Sequence, residues 1–124
     1  VVLTAALAFP EEFIECVGVE ILPELHQLAC DAEKRLRAKV NDNSLLAPIR
    51  LELGAFEDFD FKQARLVCCY ATTWASDGPV LTVLSRKLGR ELPVGARVIT
   101  VDKRLQTQAD EFEFQLLGEA RGFN

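Results

Sequence analysis

Two hydrophobic periods alternate along this chain. VVLTAALAF (Val1 to Phe9) reads as the body of a helix, ended by Pro10, which cannot continue the hydrogen-bond ladder. FIECVGV (Phe13 to Val19) is short, mostly apolar and partly β-branched, which predicts a strand buried on both faces. Pro23 then suits the first turn of a helix. Leu25, Leu28, Ala29, Ala32 and Leu36 recur at spacings of three and four, with Glu24, Gln27, Asp31, Lys34 and Arg35 elsewhere on the wheel. That pattern predicts an amphipathic helix running to about Lys39 with those apolar residues inward. Val40 to Ser44 is a loop by its Asn, Asp and Ser content.

Further along, Ile49, Leu51 and Leu53 alternate with Arg50 and Glu52, the period of a strand with one wetter face, and Gly54 closes it. EDFDFKQA is a polar connection. ARLVCCYATTW (Ala64 to Trp74) is a further apolar strand. Ser76 or Asp77 is a candidate N-cap with Pro79 just inside the next helix, whose inward stripe is Val80, Leu81, Leu84 and Leu88. ARVITV is a strand by β-branched content, DKRLQTQADE a loop, and FEFQLLG (Phe112 to Gly118) a late strand. No internal repeat or low-complexity tract interrupts the series.

Alternation of strand and helix predicts an α/β fold, a mostly parallel sheet with helices on both faces. The first helix would then need a strand before it. The chain opens on Val1, already inside a helical pattern, and stops just after a strand-like one. Both ends read as cut, which predicts a fragment of a domain.

Composition narrows the function classes. Hydrophobic residues make up 49% of the 124 positions, enough for a packed core. The charge of −5, from 19 acids against 14 bases, disfavours broad nucleic-acid binding and leaves a basic protein partner open. The longest apolar run, VVLTAALAF, has about half the roughly 20 residues of a membrane span, and the sequence carries no signal-peptide pattern. Cys16, Cys30, Cys68 and Cys69 form no C-x-x-C pair, which reads as reduced thiols in an intracellular protein with no disulfide framework and no zinc site.

Glu20 is the leading candidate for binding. It stands where an apolar strand gives way to a helix, and the carboxyl ends of strands in open α/β sheets border nucleotide crevices. A carboxylate there accepts from both ribose hydroxyls; the plainer reading is a solvated acid. Phe56, after Gly54 and Ala55, can stack on a base or fill the core. Glu57, Asp58 and Asp60 read as a solvated turn, without the further ligands of a metal site. His26, the single histidine, falls on the polar flank of its helix and lacks an identifiable nucleophile. Cys68 and Cys69 are adjacent on a strand, point to opposite faces and read as packing residues. The dyads Arg86-Lys87 and Lys103-Arg104 read as exposed basic faces.

Placed in order, these segments resemble the class I, S-adenosylmethionine-dependent methyltransferase fold from just after its first strand and glycine-rich loop. VVLTAALAF is similar to the helix after that loop. VGVE is similar to the second strand with its ribose acid, and LELGAF to the third strand at the adenine pocket. RLVCCYATTW resembles the fourth strand and its catalytic-side loop, and LPVGARVITVDKRL the fifth strand. Within that fold the sequence most resembles the disruptor-of-telomeric-silencing type of histone-lysine methyltransferase. Those enzymes similarly have the V-V-L helix start and G-V-E; they have a G-D-F after the third strand where this chain has G-A-F, and an asparagine-containing loop closed by an aromatic after the fourth where it has Y-A-T-T-W.

The resemblance implies a Rossmann-like, three-layer sheet, incomplete at both ends, with residues 1–124 forming a partial methyltransferase domain. It implies S-adenosylmethionine as cofactor, with Glu20, Ala55, Phe56 and Tyr70 at the cofactor and Tyr70, Thr72 and Trp74 on the catalytic side. Ala55 replaces an acid that accepts from the adenine amino group; alanine cannot, at a cost of about 0.5–1.5 kcal/mol for a neutral hydrogen bond. Tyr70 replaces the family's asparagine and offers an aromatic wall for a sulfonium or ammonium cation. The implied substrate is a lysine of a histone or other basic protein, and the implied location the nucleus, or otherwise the cytoplasm. The reaction would be in-line attack of a neutral amine on the sulfonium methyl, without metal. This piece alone is expected to bind the cofactor poorly and to be inactive, because the glycine-rich loop and a central strand are missing. A nicotinamide-dependent dehydrogenase half also uses an acid after its second strand, and a non-catalytic binding domain accommodates Ala55 and Tyr70.

Overall fold

In the computed structural model, residues 1–40, 42, 45–71 and 78–120 are described. They form three helices and six strands in the order α1 (Val2–Ala8), β1 (Cys16–Glu20), α2 (Pro23–Lys39), β2 (Ile49–Leu53), β3 (Leu66–Tyr70), α3 (Thr82–Glu91), β4 (Arg97–Val101), β5 (Gln108–Ala109) and β6 (Phe112–Glu113). The α/β class is as the sequence implies. The sheets are smaller than expected: β1 pairs with β2 and β3 with β4, both parallel, while β5 and β6 make a short antiparallel hairpin. The chain divides into two compact units, Val1–Phe59 and Asp60–Asn124. Among the described residues no helix is long and apolar enough to cross a membrane.

In the first unit, β1 and β2 run in register from Cys16 opposite Ile49 to Glu20 opposite Leu53. The small core joins Ala6, Cys16 and Ala47, with Val2, Ala5, Phe13 and Ile49 against it. Ala47 N–H donates to the Ala6 carbonyl (3.0 Å) and Cys16 N–H to the Pro48 carbonyl (2.7 Å), so the loop before β2 is tied to both α1 and β1. Gly18 matters here for space: a Cβ on it would lie 3.0 Å from Leu51 Cδ2 and 3.3 Å from Val2 Cγ2. The residues that meet α1 and α2 (Cys16, Gly18, Ile49 and Leu51) alternate with Val17, Val19, Arg50 and Glu52. Both helices therefore approach the same face of this sheet. The strand predicted as buried on both faces is accordingly buried only at Cys16, and its other residues are half-buried. It also starts later than expected and includes Glu20 as its last residue.

On the opposite face, Arg50 gathers charges. Its guanidinium donates to both carboxylate oxygens of Glu15 (3.1 Å each), pairs with Glu52 and lies 5.9 Å from the Phe59 ring centroid. The alternation read in β2 as a wetter face is this array, though Leu53 is exposed. Helix α2 keeps its predicted span, but its buried stripe is corrected. Its more protected positions are His26, Ala29, Cys30, Asp31, Ala32, Glu33 and Leu36, while Leu25 and Leu28 are 48% and 59% exposed. The leucine row lies to one side of the face that meets a two-stranded sheet.

In the second unit, β3 and β4 pair from Leu66 opposite Arg97 to Tyr70 opposite Val101. Cys69 is buried and Cys68 exposed, the opposite-face placement that adjacent strand positions require. Helix α3 buries Leu84, Ser85 and Leu88, with Leu81 buried just before it; Val80 is exposed, against expectation. Pro79 is not inside the helix, whose N-cap is Leu81. Arg104 N–H donates to the Pro79 carbonyl (2.7 Å) and Leu81 N–H to the Arg104 carbonyl (2.8 Å). Those bonds form a parallel bridge between Val80 and Arg104, and the helix begins after it. The predicted caps Ser76 and Asp77 lie outside the described residues.

The predicted late strand over 112–118 shrinks to Phe112–Glu113, because its partner β5 is two residues long. The loop predicted over 102–111 contains that partner. Phe112 packs against α3 at Gly89, where a Cβ would sit 2.3 Å from Phe112 Cγ, so only glycine permits the approach. Asp102, directly after β4, has φ +69°, a left-handed position that Asp tolerates better than most residues.

Candidate functional site

The parallel register brings the carboxyl ends of β1 and β2 together. Gly54 N–H donates to the Glu20 carbonyl (3.0 Å), joining the strand that ends in the acid to the turn that carries Ala55 and Phe56. Glu20 Oε1 accepts from Leu22 N–H (2.9 Å). This bond spans the two residues leading into α2, which has no side-chain cap of its own. It fixes the carboxylate at the strand–helix junction. Among the described residues Oε2 takes no partner and remains able to accept.

Beside the acid is a pocket of about 230 Å³, lined by Val1, Val2, Gly18, Val19, Glu20, His26, Ala29 and Leu51. Each element contributes for a local reason. Alternation in β1 puts Gly18 and Glu20 on the helix-facing side, and glycine leaves open the space a side chain would take. The start of α1 supplies valines, and the first turns of α2 supply His26 and Ala29, three apart on one face. The result is an apolar recess with one carboxylate and one imidazole. Such a recess can take a flat or apolar group, with polar atoms at one edge for hydroxyl or amine donors.

His26 is the residue the sequence reading undervalued. It is half-buried and lines the pocket instead of lying on a solvated flank. It also stands beside Cys30, with Sγ 3.7 Å from Nε2 and 3.9 Å from Nδ1. The available signal was the spacing of His26, Ala29 and Cys30 along one helical stripe, overshadowed by the leucines.

Ala55 and Phe56 are half-buried in the turn after β2, at the same end of the sheet as Glu20, but neither lines the pocket. The Ala55 carbonyl accepts from Asp58 N–H (3.2 Å) and that of Phe56 from Phe59 N–H (3.3 Å), so their backbones build the turn. Tyr70 belongs to the second unit; it ends β3 and is 67% exposed. Thr72 and Trp74 lie outside the described residues. Glu20, Ala55 and Phe56 are thus brought to one sheet end, and Tyr70 stands at the corresponding end of its own sheet.

The other candidates have local work. Asp60 accepts from Lys62 N–H (2.9 Å). Lys87 binds Glu91 (2.6 Å) and lies 5.7 Å from the Phe61 ring centroid, while Glu91 also accepts from Phe61 N–H (3.0 Å). Burial pushes the Glu91 carboxyl upward, but the bonds from Lys87 and Phe61 and the lysine charge outweigh it and leave it below the usual carboxylate range. Arg104 pairs with Glu119 (3.3 Å). All four cysteines are free thiols. Burial raises Cys16 and Cys69, with the Glu15 charge adding to the effect at Cys16. Among the described residues no group of three or more His, Cys, Asp and Glu is arranged to hold a metal ion. No protein-family model matches the sequence, and no curated protein or solved structure matches it.

Proposed function

We propose that the first unit carries the ribose-side half of a nucleotide-cofactor pocket, and that the chain is part of a class I, S-adenosylmethionine-dependent methyltransferase. The observation that carries this reading is Glu20 itself. It is the last residue of a parallel strand, held by the Leu22 N–H and bordering an apolar pocket. In such sheets ligands bind beyond the carboxyl ends of the strands. Glu20 would accept from the ribose hydroxyls, and the recess over Gly18 and Leu51 would receive apolar parts of the ligand.

The two parallel pairs support the same reading. They correspond to the family's second strand with its third and fourth with its fifth. Each pair keeps an unpaired edge among the described residues, where a further parallel strand and its glycine-rich turn would add. With cofactor bound, the sulfonium supplies the transferable methyl group; the protein's share is to orient it and exclude water. Lysine of a histone-like basic protein is the substrate that the resemblance favours, with Tyr70, Thr72 and Trp74 on that side and the nucleus as the location.

The test is thermal melting of the natural full-length protein with S-adenosylhomocysteine or NAD. Protection by S-adenosylhomocysteine alone, lost in Glu20→Ala, is the expected result. Protection by NAD alone would replace the reading with a dehydrogenase half. Protection by neither would refute nucleotide binding. Binding without methyl transfer to any histone would leave a non-catalytic domain, the alternative that Ala55 and Tyr70 favour.

A further inference from the structure

Glu20 and His26 are the polar side chains of the pocket; every other described residue lining it is Val, Gly, Ala or Leu. One residue ties the two together. Leu22, the N-cap of α2, donates its N–H to Glu20 Oε1 (2.9 Å), and its carbonyl accepts from His26 N–H (2.9 Å). The carboxylate and the backbone that carries the imidazole are thus both bonded to Leu22, and both side chains border one recess. The imidazole is half-buried and touches the Cys30 thiol, one turn along α2, with Sγ 3.7 Å from Nε2.

The two groups are complementary in hydrogen bonding. An ionised carboxylate only accepts, whereas an imidazole carries a ring N–H that donates. A ribose diol needs both, because each hydroxyl gives one hydrogen and its oxygen accepts. Glu20 answers the hydrogens and leaves the oxygens without a side-chain donor in an otherwise apolar recess. We infer that His26 is a second ribose-binding residue, donating a ring N–H to the oxygen of a hydroxyl whose hydrogen goes to Glu20. The pocket then selects a ribonucleoside over its deoxy counterpart, since a site built to bond a hydroxyl rejects the analogue that lacks it. This inference rests on the nucleotide-pocket reading of Glu20 and adds to it a residue and a selectivity.

The experiment is calorimetric titration of the natural full-length protein with S-adenosylhomocysteine and with its 2′-deoxy and 3′-deoxy analogues. The parent is compared with Glu20→Ala, His26→Phe, which keeps a flat ring without the donor, and His26→Gln, which keeps a donor. The parent should prefer S-adenosylhomocysteine to at least one deoxy analogue. His26→Phe should weaken S-adenosylhomocysteine by about 2–12-fold, the worth of one neutral hydrogen bond, and leave that analogue's affinity unchanged. His26→Gln should recover part of the loss. Equal weakening of all three ligands by His26→Phe would mark a packing effect and overturn the inference. Parent-like affinities in His26→Phe would also overturn it, and the reading of Glu20 would stand if Glu20→Ala still weakened binding. A parent that binds no S-adenosylhomocysteine overturns both.

Discussion

Replacing Ser85 by alanine removes one buried oxygen and tests how the second unit is held together. Ser85 is fully buried on α3 between Leu81 and Leu88. Its hydroxyl donates to the Leu81 carbonyl (2.7 Å) and accepts from Gln106 N–H (2.8 Å), linking the helix to the segment after β4. The two bonds are unequal in value. The Leu81 carbonyl also accepts from Ser85 N–H (2.9 Å), so it keeps a partner when the hydroxyl goes. The Gln106 N–H, half-buried, loses its acceptor, which costs about 1–3 kcal/mol. Alanine returns up to about 0.7 kcal/mol of helix propensity. The balance is a loss of about 0.3–2.3 kcal/mol. With a urea slope of about 2 kcal/mol per molar, the middle of the usual range, the unfolding midpoint should fall by about 0.2–1.2 M. Hydrogen exchange localises the effect: the Gln106 amide should lose protection while the α3 amides keep theirs. An unchanged midpoint together with an unchanged Gln106 amide would refute the account of this tie.

Three further perturbations follow from named contacts. Gly89→Ala should destabilise despite the roughly 1 kcal/mol that alanine usually gains in a helix, because its Cβ would overlap the Phe112 ring; Gly89→Ala with Phe112→Ala should recover much of the loss in the same urea assay. Glu91 has a lowered carboxyl pKa, so its contribution is present above the ordinary carboxylate value and is lost as pH falls through its folded value. Glu91→Gln should accordingly flatten the acid limb of a stability–pH profile, and an unaltered limb would contradict the Lys87–Glu91–Phe61 link. Arg50→Ala should cost about 1 kcal/mol at low salt, from partly exposed ion pairs and the Phe59 contact, and less at high salt.

Local signals in the sequence located the elements well and their surroundings less well. Pro23 marked the start of α2, and alternation marked β2, because proline geometry and strand pleat act within a few residues. Burial depends on what the rest of the chain brings. Leu25 and Leu28 share a helical stripe, yet a two-stranded sheet covers only the neighbouring His26, Ala29 and Cys30 face. Pro79 reads locally as a helix start, but its carbonyl is engaged by Arg104, 25 positions later, which no local pattern records. For the candidate site, Glu20 was legible from the junction it occupies. The role of His26 in the pocket was not, because it follows from α1 and α2 approaching one face of the sheet.

The central claim is that Glu20 holds a nucleoside ribose, and calorimetric titration of S-adenosylhomocysteine into the natural full-length protein tests it most directly. A hydrogen bond to a charged group contributes about 1.5–3 kcal/mol, and about 1.4 kcal/mol corresponds to tenfold in affinity. The account predicts saturable one-site binding that Glu20→Ala weakens by at least about tenfold, with the fold preserved. Equal affinity in parent and variant, or no heat of binding in the parent, would contradict it.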